Sequence, residues 1–251
     1  MTEIFPTGID FLDKQLGGFP PGLIILYENA GAGGREFAIT SMFKNADKFK
    51  IRYLSISKPV DVVKKELETA IPERSDVPDI EVVSLADVYF KDTLVPLKWV
   101  SDRSAGIELL KGEKNLFTKL VEFFEGLESN TYVFLDSLTY LARAAVNRLG
   151  WENFVDLLTG IRVYCIRNGI LLTTLLTSDV FEKGKEEEML DQADGIVVFE
   201  WLVGKDAIER WMYFRKFIGL LPKIEKEKVF KYSVRVDPIV GFTISKIMRI
   251  L

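Results

Sequence analysis

The chain has 251 residues, a formal net charge of −4 and a pI near 5.2, which argue against a surface-wide grip on the phosphate backbone of a nucleic acid. It contains no histidine and a single cysteine, Cys165, so imidazole chemistry, an intramolecular disulfide and a cysteine-built metal site are excluded. No apolar stretch approaches the ~20 residues that span a bilayer, and Met1-Thr2-Glu3-Ile4-Phe5-Pro6 lacks a signal-peptide pattern, so a cytoplasmic protein without a membrane segment is expected.

In chain order, Thr7 is placed to cap a helix over residues 8–16. An apolar strand follows at 23–27, then a glycine-containing stretch, then a helix over 36–45 opened by the acidic Glu36. A strand at 51–56, a helix at 60–70 and a strand at 80–83 continue the alternation, while residues 86–112 carry no assignable pattern. Beyond them come a helix at 115–127, a strand at 132–135, a helix at 153–168 and strands at 170–175 and 196–200. Several strands are continuous apolar runs, as expected where both faces of a parallel sheet are covered. After Trp201 the residues 207–214, 229–236 and 241–247 read as antiparallel edge strands, joined by a charged loop (219–228) and an Asp237-Pro238 turn. No repeat or linker divides the chain, which predicts one α/β domain over residues 1–251.

The run Glu28-Asn29-Ala30-Gly31-Ala32-Gly33-Gly34-Arg35 lies at a strand-to-helix junction, where a phosphate loop of pattern G-x-x-x-x-G-K-[ST] would sit. Gly31, Gly33 and Gly34 allow the backbone to curve around an anion. The remaining positions depart from the pattern. Glu28 replaces the leading glycine, Gly34 the lysine that grips phosphate, and Arg35 the hydroxyl that ligates magnesium. At ~6 Å and an effective dielectric of ~20, a like charge from Glu28 would cost a phosphate about 3 kcal/mol before screening. Arg35 offers a replacement cation. Asp136 ends the apolar run Thr131-Tyr132-Val133-Phe134-Leu135, a place suited either to positioning magnesium through water or to capping the next helix.

The order of these segments resembles the RecA superfamily, in particular the single-domain KaiC-like ATPases of archaea. Thr7-Gly8-Ile9-Asp10-Phe11-Leu12-Asp13 through Gly17-Gly18 is similar to that family's entry motif. Asp136-Ser137-Leu138 resembles its metal-binding strand end, and Ala193-Asp194-Gly195-Ile196-Val197 a later segment. The resemblance implies a three-layer RecA-like P-loop fold with a largely parallel sheet. It also implies ATP and magnesium, which the residues do not follow. Where the family places an activating glutamate, the chain has Ser57-Lys58. Where it places K-x-R-G, whose Lys and Arg can reach a neighbouring subunit's nucleotide, the chain has Lys216-Phe217-Ile218-Gly219, without the arginine.

These departures predict a non-catalytic domain with no cofactor, acting on a protein or peptide partner as a binding or regulatory module. The alternative is a weak ATP-binding or ATP-hydrolysing enzyme using Arg35 at a divergent P-loop, with Asp136 as its metal residue. Asp136 and Lys216 remain as a residual site under either reading. Rings formed by relatives allow a homo-oligomer. The acidic surplus of Glu182-Lys183-Gly184-Lys185-Glu186-Glu187-Glu188 and the mixed charges beyond Lys205 argue against nucleic acid, and the segment at 182–188 reads as a solvated loop entering a helix. Only Gln15 and Gln192 are glutamines amid many Lys and Glu, a bias that fits a heat-adapted source.

Overall fold

The computed structural model describes residues 4–71, 73, 77–91, 93–100, 115–204, 207–217 and 231–246. Side-chain alternation along strand β1 (Gly22–Glu28) shows how its layers are made. Leu23 and Ile25 point into one buried cluster, and Ile24 and Leu26 into another on the opposite face. All four are fully buried, so β1 must be covered on both sides.

β1 lies inside a nine-stranded sheet. The other strands are β2 (Lys50–Ser55), β3 (Glu81–Ser84), β4 (Thr131–Asp136), β5 (Leu171–Thr177), β6 (Gly195–Val203), β7 (Ile208–Phe217), β8 (Tyr232–Asp237) and β9 (Gly241–Lys246). Their order is β3-β2-β4-β5-β1-β6-β7-β8-β9. The six strands from β3 to β6 pair in parallel, and β7, β8 and β9 add antiparallel. The expected α/β architecture with antiparallel C-terminal edge strands is therefore present.

Helices α1 (Asp10–Leu16), α2 (Gly34–Asn45) and α3 (Val60–Thr69) share one face with the curled β7–β9 leaf. The other face carries α4 (Ala86–Phe90), α5 (Leu116–Glu125), α6 (Leu138–Arg148), α7 (Trp151–Asn168) and α8 (Lys183–Asp191). Among the described residues no helix is long and apolar enough to cross a membrane.

Helix α2 is unusual because it is buried almost all round, from Phe37 through Phe43. The sheet covers one side and β9 the other. Phe242 of β9 packs edge-on against Phe37 and Phe199, with ring centroids 5.3 and 5.8 Å away. Its backbone N–H donates to Thr40 Oγ1 at 2.8 Å, which satisfies a polar group inside this layer. Gly241, at φ +83°, lets the turn approach: a Cβ there would fall 2.5 Å from Thr40 Oγ1.

Most element boundaries lie within two or three residues of the sequence reading, and three points correct it. The first helix starts at Asp10, because Gly8 has φ +79° and cannot be helical. Thr7 is not its cap. Its N–H and hydroxyl instead donate to Asp13 Oδ1, at 2.6 and 2.7 Å. Residues 183–191 form helix α8, where Glu186 turns inward to accept from Tyr27 and from the N–H groups of Val180 and Phe181. Helix α6, for which the sequence reading gives no range and offers Asp136 as the cap, is capped instead by Ser137, which accepts from the Tyr140 N–H. Residues 86–99 supply α4 and one 3₁₀ turn, and the proposed 219–228 loop lies outside the described residues.

If β9 holds α2 against the sheet, Phe242→Ala should lower unfolding stability by about 3–5 kcal/mol in urea titration.

Candidate functional site

The loop from Glu28 to Gly34 leaves the C-terminal end of β1, with β5 and β6 on either side. Asn29 fastens it to both. Its Nδ2 donates to Ser178 Oγ at 2.8 Å, and its Oδ1 accepts from the Trp201 N–H at 3.2 Å. The Trp201 indole N–H also donates to the Ala30 carbonyl at 3.1 Å, under the Arg210 guanidinium 4.7 Å from the ring. Gly31 and Gly33 take φ of +75° and +121°, conformations that side-chain-bearing residues avoid. Gly33 also leaves room for Phe242 and Val234. The loop thus keeps the curve expected of a phosphate loop.

Its contents differ. The Glu28 carboxylate is 7% exposed and turns back into the loop, where Oε2 accepts from the Gly34 N–H at 2.9 Å. Burial pushes its pKa above the usual carboxylate range, against the lowering effects of that hydrogen bond and of Arg35; Glu36 and Asp136 push it further up.

Arg35 opens α2 and reaches across to β4. Its Nη2 donates to Asp136 Oδ1 at 2.7 Å and its Nη1 to Oδ2, a two-pronged contact. The Tyr53 hydroxyl donates to the same Oδ2 at 2.6 Å and accepts from Arg35 Nη1 at 3.1 Å. Lys58 Nζ stands 3.4 Å from Oδ2 and 2.6 Å from Glu66 Oε2. Burial opposes the Asp136 charge, but Arg35, Lys58 and Tyr53 together hold its carboxyl below the usual range. The same surroundings raise the Tyr53 hydroxyl well above its ordinary value, burial first and the Asp136 charge second.

The sequence-predicted residues therefore fall into two groups. Glu28, Gly31, Gly33, Gly34, Arg35 and Asp136 meet at one end of the sheet. Lys216 does not join them. It pairs in register with Ile196 at the start of β6, the opposite end of the sheet, and binds the Asp191 carbonyl at 2.7 Å. Ile218 lies outside the described residues. Sequence reasoning missed Tyr53, Glu66 and Trp201. The sequence held no signal for Tyr53, which reaches Asp136 through the sheet register: it faces α2 and pairs with Phe134, two residues before Asp136.

The positions that hold ATP and magnesium in a working phosphate loop are replaced or already engaged here. Position 34 has no ammonium, and its N–H is already held by a carboxylate. The Asp136 oxygens face Arg35, Tyr53 and Lys58, where a cation would be repelled. Among the described residues no group of three or more Asp, Glu, Cys or His side chains is arranged to hold a metal.

A model of the family of unknown function DUF7125 matches residues 4–237. The chain belongs to that family. No curated protein matches this DUF7125 member by sequence. Solved structures share its fold. Flagellar accessory protein FlaH from Methanocaldococcus jannaschii superposes with a TM-score of 0.64 at 15% identity, covering 97% of this chain and 99% of FlaH. The KaiC-like protein PH0186 from Pyrococcus horikoshii OT3 gives 0.60 at 15% identity, covering 98% of this chain and 100% of its own. The uncharacterized protein PH0321 from Pyrococcus horikoshii, solved in complex with an unknown peptide, gives 0.60 at 15% identity over 97% and 100%. The DUF7125 chain thus has the KaiC-like RecA fold expected from its motifs.

Two stability predictions follow the charges. Arg35→Ala leaves Asp136 buried and poorly paired, and should cost about 3 kcal/mol, whereas adding Asp136→Ala should cost less than the two single losses combined. The lowered folded pKa of Asp136 means that its contribution is present above the unfolded value of about 3.9 and is lost as pH falls through the folded one. Glu28 runs the other way. Its raised folded pKa favours the fold below the unfolded value of about 4.3, a benefit lost as pH rises through the folded value. Glu28→Gln should therefore raise the thermal midpoint at pH 7 by about 2–4 °C, with the gain shrinking toward pH 4 in calorimetry.

Proposed function

We propose that this protein is a RecA/KaiC-like domain without ATPase activity, which binds or regulates a protein or peptide partner. One observation carries the reading: the Arg35 guanidinium is seated on Asp136. In an ATPase of this fold the acidic strand end serves magnesium, and the helix head serves phosphate. Here the two are spent on each other. Lys58, in the stretch where the KaiC-like ATPases that the sequence resembles place a glutamate that activates water, adds a second cation to the same carboxylate. The surroundings favour the charged form of Asp136, and the neighbouring Glu66 carboxylate is paired with Lys58 and lies 3.9 Å from Arg35.

The scaffold remains suited to recognition. Ligands of open α/β sheets gather at the carboxyl ends of the strands, where Arg35, Lys58 and Glu66 stand half-exposed. PH0321, which shares the fold, was solved holding a peptide. The lone cysteine suits a reducing, cytoplasmic setting.

Calorimetric titration of Mg-ATP and Mg-ADP into the purified chain should give no saturable heat up to about 1 mM nucleotide, a binding energy weaker than about −4 kcal/mol. Phosphate release should not exceed the blank. Micromolar binding, or turnover abolished by Asp136→Asn, would overturn the reading in favour of an ATPase using Arg35. Affinity capture from a lysate of the source organism should recover the same partner whether or not Mg-ATP is added.

A further inference from the structure

Two of the positions at which the loop departs from the phosphate-binding pattern touch one another. Glu28 stands at the leading position and Gly34 at the lysine position. The Glu28 carboxylate accepts from the Gly34 N–H at 2.9 Å. That N–H is the first of α2, one of the donors that a helix cannot satisfy within itself and that an anion commonly fills.

The contact also depends on residue 34 being glycine. A Cβ at this position would lie 2.9 Å from Glu28 Oε2 and 3.0 Å from Leu175 Cδ2. Any larger residue, including the lysine of a working loop, must push the carboxylate from its place. Conversely, without Glu28 the Gly34 N–H would lose its partner in a buried setting. The two residues therefore fit as a pair.

We infer that Glu28 is a built-in anion for its own loop: its carboxylate, admitted by Gly34, stands where a ligand's phosphate would meet the backbone. The inference rests on the non-catalytic reading and deepens it. A fixed carboxylate excludes phosphate twice, by holding the donor and by opposing the incoming charge. It also gives the loop a ligand that never leaves. The partner-facing surface beside Arg35 and Lys58 then keeps one arrangement regardless of nucleotide.

The test uses inorganic pyrophosphate and Mg-ATP, titrated calorimetrically into the full chain and into Glu28→Gly, Gly34→Lys and the double variant Glu28→Gly/Gly34→Lys. The unsubstituted chain and Gly34→Lys should give no saturable binding. Glu28→Gly should bind pyrophosphate, and the double variant should saturate at a concentration on the order of a hundredfold below the highest at which Gly34→Lys shows no binding, the scale of one nearby like charge removed. If Glu28→Gly is folded by circular dichroism yet binds no better than the unsubstituted chain, the inference falls. If Glu28→Gly does not fold, Glu28→Ala decides, because it removes both the charge and the acceptor that holds the Gly34 N–H. A gain of about tenfold or more in pyrophosphate affinity supports the plug, and an unchanged affinity overturns it. The two readings fail separately. Nucleotide binding by the unsubstituted chain that Glu28→Gly strengthens overturns the non-catalytic reading and spares the plug. Absence of binding in every form overturns the plug and spares the non-catalytic reading.

Discussion

A carboxylate at the buried end of β4 has to be balanced by positive charge, and the way Asp136 is balanced organises one end of this protein. The group is 2% exposed, a setting in which an isolated charge would cost several kcal/mol. Arg35 meets it with two N–H donors, Tyr53 with a hydroxyl and Lys58 with an ammonium. These partners come from α2, β2 and the segment leading into α3. A single carboxylate therefore ties the head of α2 to two neighbouring strands. Replacing Arg35 by a serine or threonine, as a phosphate loop requires, would undo that tie before any nucleotide arrived.

Placement of α2 depends on packing as much as on charge. The helix lacks a strongly polar face, since Phe37, Ala38, Ile39, Met42 and Phe43 are all buried. A helix buried on more than one side needs cover on more than one side. The sheet supplies one side and the β8–β9 hairpin the other, with Phe242 reaching both Phe37 and the edge of Gly33. The hairpin thus fixes the loop as well as the helix. This explains why glycine at 33 serves close packing here in addition to backbone curvature.

Much of the fold was legible because the elements announce themselves locally. Continuous apolar runs mark the parallel strands, and their alternation with helical stretches marks the crossovers. The glycines and Asp136 were legible too, since a phosphate loop and a strand-end acid follow fixed spacings. What those residues touch was not. Tyr53 reaches Asp136 across 83 residues, and the Trp201 indole reaches Ala30 across 171. Such contacts depend on sheet register, which a one-residue shift would reverse. Lys216 differs: the motif it resembles reaches a neighbouring subunit's nucleotide, and the antiparallel course of β7 places it away from this chain's own loop.

Loss and replacement leave different marks on a site. Residues that vanish one at a time leave their former partners behind as buried, unpaired groups, and such groups are costly. The sequence alone invites that view, because Glu28, Gly34, Arg35 and Lys58 look like separate departures. In the folded chain they are not separate. Glu28 and Gly34 share one hydrogen bond, and Arg35 and Lys58 converge on one carboxylate. Each departure supplies what another needs, so the four amount to two matched arrangements. Correlated departures weigh less as a count of lost functions than independent ones would, and more as a description of what took their place. A loop held by its own carboxylate and an acid held by its own arginine keep their geometry without a nucleotide. That is the property the proposed recognition role requires.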